Sequence, residues 1–361
     1  MTVNEQLQDD AIRHAIGLNR LRAGALRRIT RLLEDADADL AAQIMARLAD
    51  LSGNDIATIT TSGTFGTERL RRLRASIQRL ERFARQAYEE AFNGEISGIA
   101  SMEQDFWEER INRAIPAEMR LTVNTVAAST VEAAALSRPL QGRVLSTIAR
   151  EWGADRRRRV DQAVRIGFVN GETINQIARR VTDQLEVSRS VARRDVRTAV
   201  THMASFARRR VAEANPDLIR NEVWVSTLDG RTSAICIGND GKVLTDRSLN
   251  PSPGARPPVH WNCRSVTSFV LASWRDLGFD IEDLTPQTRA SMNGQVPRSV
   301  TFPDFFNEQS EEFQRELLGP AKFELFQSGE FEITDFIDNS GQFFTVDELR
   351  RREPDFFRDA A

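Results

Sequence analysis

Apolar residues recur at three- and four-residue steps between charges through the first half of the chain: Ile12, Ile16, Leu18, Leu21, Leu26, Ile29, Leu32 and Leu33. That period predicts amphipathic helix. The pattern resumes at Leu40, Ile44, Met45 and Leu48 after the acidic stretch Glu34 to Asp39, which reads as a break. Ser52-Gly53-Asn54-Asp55 reads as a turn with capping character, and Thr67 as the cap of the next helix. That helix carries Leu70, Leu73, Ile77, Leu80, Phe83 and Ala84 on one face and runs toward Phe92, with an interruption expected at Asn93-Gly94. The heptad is not strict, so a bundle is expected rather than a coiled-coil arm. His14 is expected at the surface of its helix, and Trp107 as a packing anchor.

Farther along, small residues (Ala127-Ala128-Ser129, Ala133-Ala134-Ala135) mark another helical region, with a break at Pro139 and Gly142. From Val144 to Ala214 the pattern predicts helix in short pieces, one opened by a capping box of Thr173 with Gln176, another spanning about 188–213 and ending before Asn215-Pro216. The period then changes. Glu222 to Ser226, Lys242 to Leu244 and Ser265 to Leu271 read as strands. The tail is mixed and rich in phenylalanine, with a capping box of Thr345 and Glu348. The expected class is α+β and predominantly helical. Long N-terminal helices and a helical middle precede a small antiparallel β element with a Cys/His loop clasp and a mixed C-terminal tail. The expected regions are 1–115 (helical), 116–220 (helical, arginine-rich), 221–275 (β-containing) and 276–361 (acidic, Phe-rich).

The candidate chemistry is concentrated between Thr227 and Phe269. That stretch holds both cysteines, Cys236 and Cys263, and one of three histidines, His260. Two residues separate His260 from Cys263, a spacing that presents two ligands to one metal. Cys236 supplies a third from the first hairpin, and Asp229 or Asp240 a fourth, or that position stays open to water. Zinc accepts S, N and O donors in tetrahedral geometry. The competing reading is a metal-free clasp. In it the cysteines pack as small apolar side chains, and His260, Asp229, Arg231, Asn262 and Arg264 form a polar network tying loop to strand. A nucleophilic enzyme is a third reading, but base and nucleophile stand too close in sequence, and no Gly-x-Ser-x-Gly elbow or phosphate-binding loop occurs. The expectation is a non-enzyme. His202 lies on the helix before the first strand as a surface or packing residue.

The order Asp229, Arg231, Thr232, Ser233, Cys236, Gly241, Pro257, Pro258, His260, Asn262, Cys263, Arg264 resembles the phage Mu protein F-like head morphogenesis proteins, also called minor head proteins. Those proteins carry Asp-x-Arg-Thr-Ser/Cys, a Cys a few residues on, a Gly-containing hairpin and Pro-Pro-x-His-x-Asn-Cys-Arg. Trp261 stands where Pro is usual, and Ser265 where many members have another Cys. A looser likeness lies in Asn307-Glu308-Gln309, Phe313-Gln314 and Leu317-Leu318-Gly319-Pro320, so the resemblance spans roughly 160–352. It implies a minor head protein of a tailed phage or prophage, present in few copies. Such a protein acts at or near the portal in capsid assembly, DNA packaging or DNA delivery. The implied partners are the portal protein, other capsid components and phage DNA. The implied location is the virion, in the capsid interior or at the portal vertex, after assembly in the host cytoplasm. The alternatives are a particle-carried metal-dependent enzyme such as a nuclease, and a structural DNA-binding protein.

Charge changes this picture only locally. The net charge is −3, which by itself predicts no polyanion partner. Residues 151–220 hold 15 basic against 9 acidic side chains, and 276–361 hold 8 against 19. Arg189, Arg193 and Arg197, at four-residue steps, share a helix face and are the candidate phosphate contacts. Two cysteines are too few for a disulfide framework. No apolar run is long enough to cross a bilayer, and the acidic N-terminus lacks a secretory h-region.

Overall fold

The computed structural model describes residues 3–62, 64–115, 123–244, 256–272, 288–291, 294–297, 300–338 and 340–352. It is predominantly helical with a small antiparallel sheet. The chain divides into two units. One comprises Met1–Leu18, Met102–Ala127 and Ser205–Ala361; the other comprises Asn19–Ser101 and Ala128–Ala204. Helices α1 (Val3–Ala49), α4 (Ile99–Ala114) and α7 (Ile174–Ala214) each contribute residues to both.

The second unit is helical apart from a short hairpin. It contains α2 (Gly53–Ser62), α3 (Glu68–Ile96), α5 (Ala128–Leu136), the hairpin β1–β2 (Pro139–Leu140, Arg143–Val144), α6 (Leu145–Val169) and parts of the three shared helices. Its core joins Leu40 and Ile44 of α1, Leu73 and Ile77 of α3, Val160 and Val164 of α6, and Val181 of α7. Each such side chain contributes roughly 1.5–3 kcal/mol by leaving water. The predicted caps are present. Ser52 and Asp55 bond reciprocally at the start of α2, Thr67 Oγ1 accepts from Leu70 N at 3.3 Å, and Thr173 and Gln176 form their capping box.

Three expected interruptions are absent. α1 runs unbroken through Glu34 to Asp39. Leu33, Asp37 and Leu40 keep the buried stripe there, and the one carboxylate that turns inward, Asp37, accepts from Arg156 Nη1 at 2.5 Å. α3 continues through Asn93-Gly94 to Ile96 because Phe92 and Ile96 are buried on the same face, which offsets a glycine cost of about 1 kcal/mol. The expected short pieces after Val144 are two long helices. The sequence 174–214 contains no Gly or Pro, and its apolar steps run from Ile177 to Val211 without a gap.

The buried centre of this unit is ionic. Arg156, first of the four-arginine run, is 1 % exposed and donates to both Asp37 and Glu81. His202 is also inside, its Nε2 3.4 Å from the Ala135 carbonyl, and burial lowers its pKa to about 4.

The first unit carries the sheet. Strand β3 (Ile219–Val225) is central, flanked antiparallel by β4 (Val243–Leu244) and β5 (Val266–Leu271), with Trp224 opposite Thr267 and Val225 opposite Val266. The strand period of two turns Val223 and Val225 to Ile12 of α1, and Trp224 to the cysteines. Trp107 of α4 is fully buried and packs on Phe269 of β5 with ring centroids 4.5 Å apart, as expected of an anchor. His14 is not a surface residue. It stacks on Phe106 at 3.8 Å and donates to buried Glu103 at 2.6 Å, because that carboxylate must find donors once it leaves water.

A second hairpin, β6–β7 (Thr288–Ser291, Gly294–Pro297), precedes short helices α9 (Phe302–Asn307), α10 (Glu311–Leu318), α11 (Pro320–Gln327), a 3-10 turn (Ile333–Phe336) and α12 (Val346–Arg352). Thr345 and Glu348 cap α12 as predicted. The described phenylalanines of the tail pack together into a core of their own. Phe302, Phe305, Phe306 and Phe336 are fully buried around Leu228 and Ile237 of the motif segment. Phe356 and Phe357 lie outside the described residues.

Candidate functional site: a Cys/His clasp beside the sheet

The segment after β3 folds on its own side chains. Asp229 Oδ1 accepts from Arg231 N at 3.0 Å, an Asx-type turn that needs Asp at this place. Thr232 Oγ1 bonds back to Thr227 O and Asp229. The turn delivers α8 (Ala234–Asn239), which carries Cys236. Cys236 therefore comes from a helix rather than the hairpin expected from the sequence, because 234–239 closes helical bonds onto Ser233. Asp240 then bridges two backbone donors, Ser226 N at 2.7 Å and Phe302 N at 2.8 Å, tying strand end to tail. Gly241, at φ +78°, reverses the chain into β4 and donates to Trp224 O.

The second half of the motif is a tight turn. Cys263 N donates to His260 O at 3.2 Å, and Asn262 sits at φ +64°, a left-handed conformation that Asn tolerates better than most residues. His-x-Asn-Cys is thus a turn formula as well as a ligand spacing. Pro257 O accepts from Ser205 Oγ at 2.6 Å, anchoring the approach to that turn.

Together the two halves place Cys236, His260 and Cys263 with their ligand atoms all within 4.8 Å of one another. Sγ to Sγ is 3.8 Å, and His260 Nε2 lies 3.3 Å from Cys236 Sγ and 2.7 Å from Ser233 Oγ. Both cysteines are free thiols and buried, packed with Trp224. His260 Nδ1 lies 2.8 Å from Trp261 O, a carbonyl that only accepts. The proton therefore belongs on Nδ1, which leaves the Nε2 lone pair facing the sulfurs. The Cys236 thiol pointed at its neighbour holds Cys263 well below the usual thiol range and raises Cys236. Contact with Cys263 raises His260. The three residues are close enough, and of the right donor types, to hold a metal ion.

Asp229 is not part of that cluster. Arg264 takes both its oxygens, Nη1 to Oδ2 at 2.5 Å and Nη2 to Oδ1 at 2.6 Å. Burial pushes the Asp229 pKa up, but the Arg264 pair, Arg231 N and Thr232 outweigh it and leave the group below its usual range. This bidentate pair staples the first turn to the start of β5. Arg231 itself is exposed, and its side chain takes no part.

Residues 158–268 match the family model of the Phage Mu protein F like protein. The matched stretch runs from α6 into β5 and contains every motif residue from Asp229 to Arg264. It bears out the resemblance and supports a phage head morphogenesis protein at the level of the family. The looser likeness in the tail lies beyond it. Neither the curated proteins nor the solved structures gave a match.

Sequence reasoning missed Ser226, which accepts from Trp224 Nε1 at 2.9 Å and donates to Cys236 O at 2.7 Å. Ser265, standing where a further Cys was expected, lies 3.3 Å from the Ser226 hydroxyl. No spacing rule points to either serine. Of the candidate phosphate contacts, Arg189 pairs with Asp37 and Glu186, Arg193 pairs with Glu186, and Arg197 is half-buried.

Proposed function

We propose that the protein is a minor head protein of a tailed phage or prophage that acts at or near the portal, in capsid assembly, DNA packaging or DNA delivery. The match over 158–268, with the whole motif inside it, carries this reading. The motif is built as a mechanical fastener: the Asp229–Arg264 pair, the Asp240 bridge and the thiol cluster join sheet, loop and tail. We read its role as structural rather than catalytic, because both sulfurs are buried. Its location is the capsid interior or portal vertex, and its partners are the portal protein and other capsid components. Co-expression with the cognate portal protein, followed by size-exclusion chromatography and particle imaging, tests it. A stable complex or density at the portal vertex is expected. Absence from both particles and portal complexes, together with His260-dependent turnover of nucleic acid, would overturn it in favour of an enzyme.

The donor set favours zinc as the ion held by Cys236, His260 and Cys263. Elemental analysis of purified protein is expected to find zinc near one per chain, and chelation to expose 227–269 to protease. Zinc-free protein of unchanged protease resistance would leave the hydrogen-bonded clasp alone. Phage DNA is a partner suited to Arg82, Arg85, Arg150 and Arg157, which line a cleft of about 390 Å³ between α3 and α6. Arg85 is already paired with Glu89 at 2.8 Å, so Arg82, Arg150 and Arg157 carry the reading, and they are better placed than Arg189 and Arg193, whose charge neighbouring carboxylates take up. Reversing Arg82 and Arg150 to Glu is expected to weaken DNA binding and shallow its salt dependence, while reversing Arg193 has little effect.

A further inference from the structure

Ser233 stands at the N-cap position of α8, where a serine normally accepts a bond from the helix backbone. It makes no such bond; its hydroxyl instead lies 2.7 Å from His260 Nε2. A stabilising cap has been exchanged for a place in the thiol–imidazole cluster. The spacing repeats on both halves of the motif: Ser233 and Cys236 are three apart on a helical start, and His260 and Cys263 three apart on a turn.

We propose that Ser233 Oγ is the fourth corner of a four-coordinate zinc site whose other corners are Cys236 Sγ, His260 Nε2 and Cys263 Sγ. The proposal rests on the zinc reading above and adds the ligand that closes the site. Zn–S bonds of about 2.3 Å at the tetrahedral angle put two sulfurs about 3.8 Å apart, and a sulfur and a nitrogen about 3.5 Å apart. The corresponding separations here are 3.8 Å and 3.3 Å. The hydroxyl must move about 0.6 Å from Nε2 to reach its own corner, since a Zn–O bond of about 2.0 Å sets that edge near 3.3 Å. The nearby carboxylates are engaged elsewhere, Asp229 by Arg264 and Asp240 by two backbone donors.

Charge and protons balance. Zn²⁺ displaces whatever protons the two thiols still carry, which leave to solvent, and two thiolates neutralise the ion in a buried site. His260 keeps its Nδ1 proton on Trp261 O, and Ser233 binds as a neutral hydroxyl through an oxygen lone pair. A hydroxyl is a weaker zinc donor than a thiolate, so this corner is the exchangeable one.

The test uses the full chain stripped of metal under reducing conditions and titrated with Co²⁺ and Zn²⁺. Ser233→Cys is expected to tighten Zn²⁺ at least about tenfold and to raise the sulfur-to-cobalt charge-transfer band by about half, as three thiolates replace two. Where that variant misfolds, Ser233→Ala decides: its cobalt d–d bands shift from the wild-type positions if the hydroxyl ligates. Wild-type protein that binds metal, with either variant superimposable on it in affinity and spectrum, would remove Ser233 from the site and leave the zinc reading standing. No metal bound by wild type or by Ser233→Cys would remove both.

Discussion

Glu103 is the residue whose loss is expected to cost the sheet-bearing unit most. It is fully buried on α4 and accepts from three donors: Arg208 Nη2, Trp107 Nε1 at 3.0 Å and His14 Nε2 at 2.6 Å. Burial alone would raise its pKa, but Arg208, His14 and Trp107 outweigh that and hold it below its usual range. Arg208 is 1 % exposed, lies over the Trp107 ring and donates its other terminal nitrogen to Thr267 O of β5 at 2.8 Å. Glu103→Ala therefore strands a buried guanidinium, a defect worth about 3–5 kcal/mol. For a unit of this size about 2–4 °C is lost per kcal/mol, so a 4 kcal/mol defect lowers its melting temperature by about 8–16 °C. Calorimetry on the full chain is the assay, because it would resolve a second transition if the two units melt separately. Glu103→Gln keeps the shape and one acceptor oxygen and is expected to cost about half as much. Glu103→Leu combined with Arg208→Met removes both charges and is expected to recover to within about 2 kcal/mol of wild type. A loss below about 1 kcal/mol for Glu103→Ala, or a double variant as unstable as the two singles added, would refute the assignment of a coupled buried pair.

Three further outcomes are expected. Asn262→Gly keeps stability close to wild type, while Asn262→Val loses about 1–2 kcal/mol in urea unfolding, because a β-branched residue resists the left-handed turn; equal stability of the two would dismiss the turn as the reason for Asn. Gly341→Ala destabilises the tail packing, since a Cβ there would lie 2.4 Å from Ile235 Cβ at a φ of +78°; unchanged proteolysis of the C-terminal region would count against that close approach. Stability should fall as pH drops from about 6.5 toward 4, because unfolded His202 takes up a proton that the folded, depressed His202 refuses. The loss is on the order of 2 kcal/mol for a partly exposed ring, and a wild-type pH profile unchanged by His202→Gln would exclude it.

The helical character, the caps at Ser52, Thr67, Thr173 and Thr345, the three strands and the motif from Asp229 to Arg264 were legible in the chain, because each depends on neighbours a few residues away. A capping box, a strand alternation or an Asx turn is a local bargain between side chain and backbone. Helix lengths were not legible in the same way. Glu34 to Asp39 and Asn93-Gly94 look like breaks until Arg156 neutralises Asp37 and the core buries Phe92 and Ile96. His14 looks exposed until Glu103 arrives from α4, 89 residues along the chain. Arg156 and Arg208 belong to the basic stretch 151–220, yet both are interior counter-charges. The sequence announced His260, Cys263 and Cys236 as donors, but only the folded chain shows Ser233, 27 residues from His260, joining them. Local periodicity determines which elements form. Which charges meet, which serine leaves its cap and which carboxylate is already engaged are settled by long-range packing, where the cost of burying an unpaired group selects one arrangement.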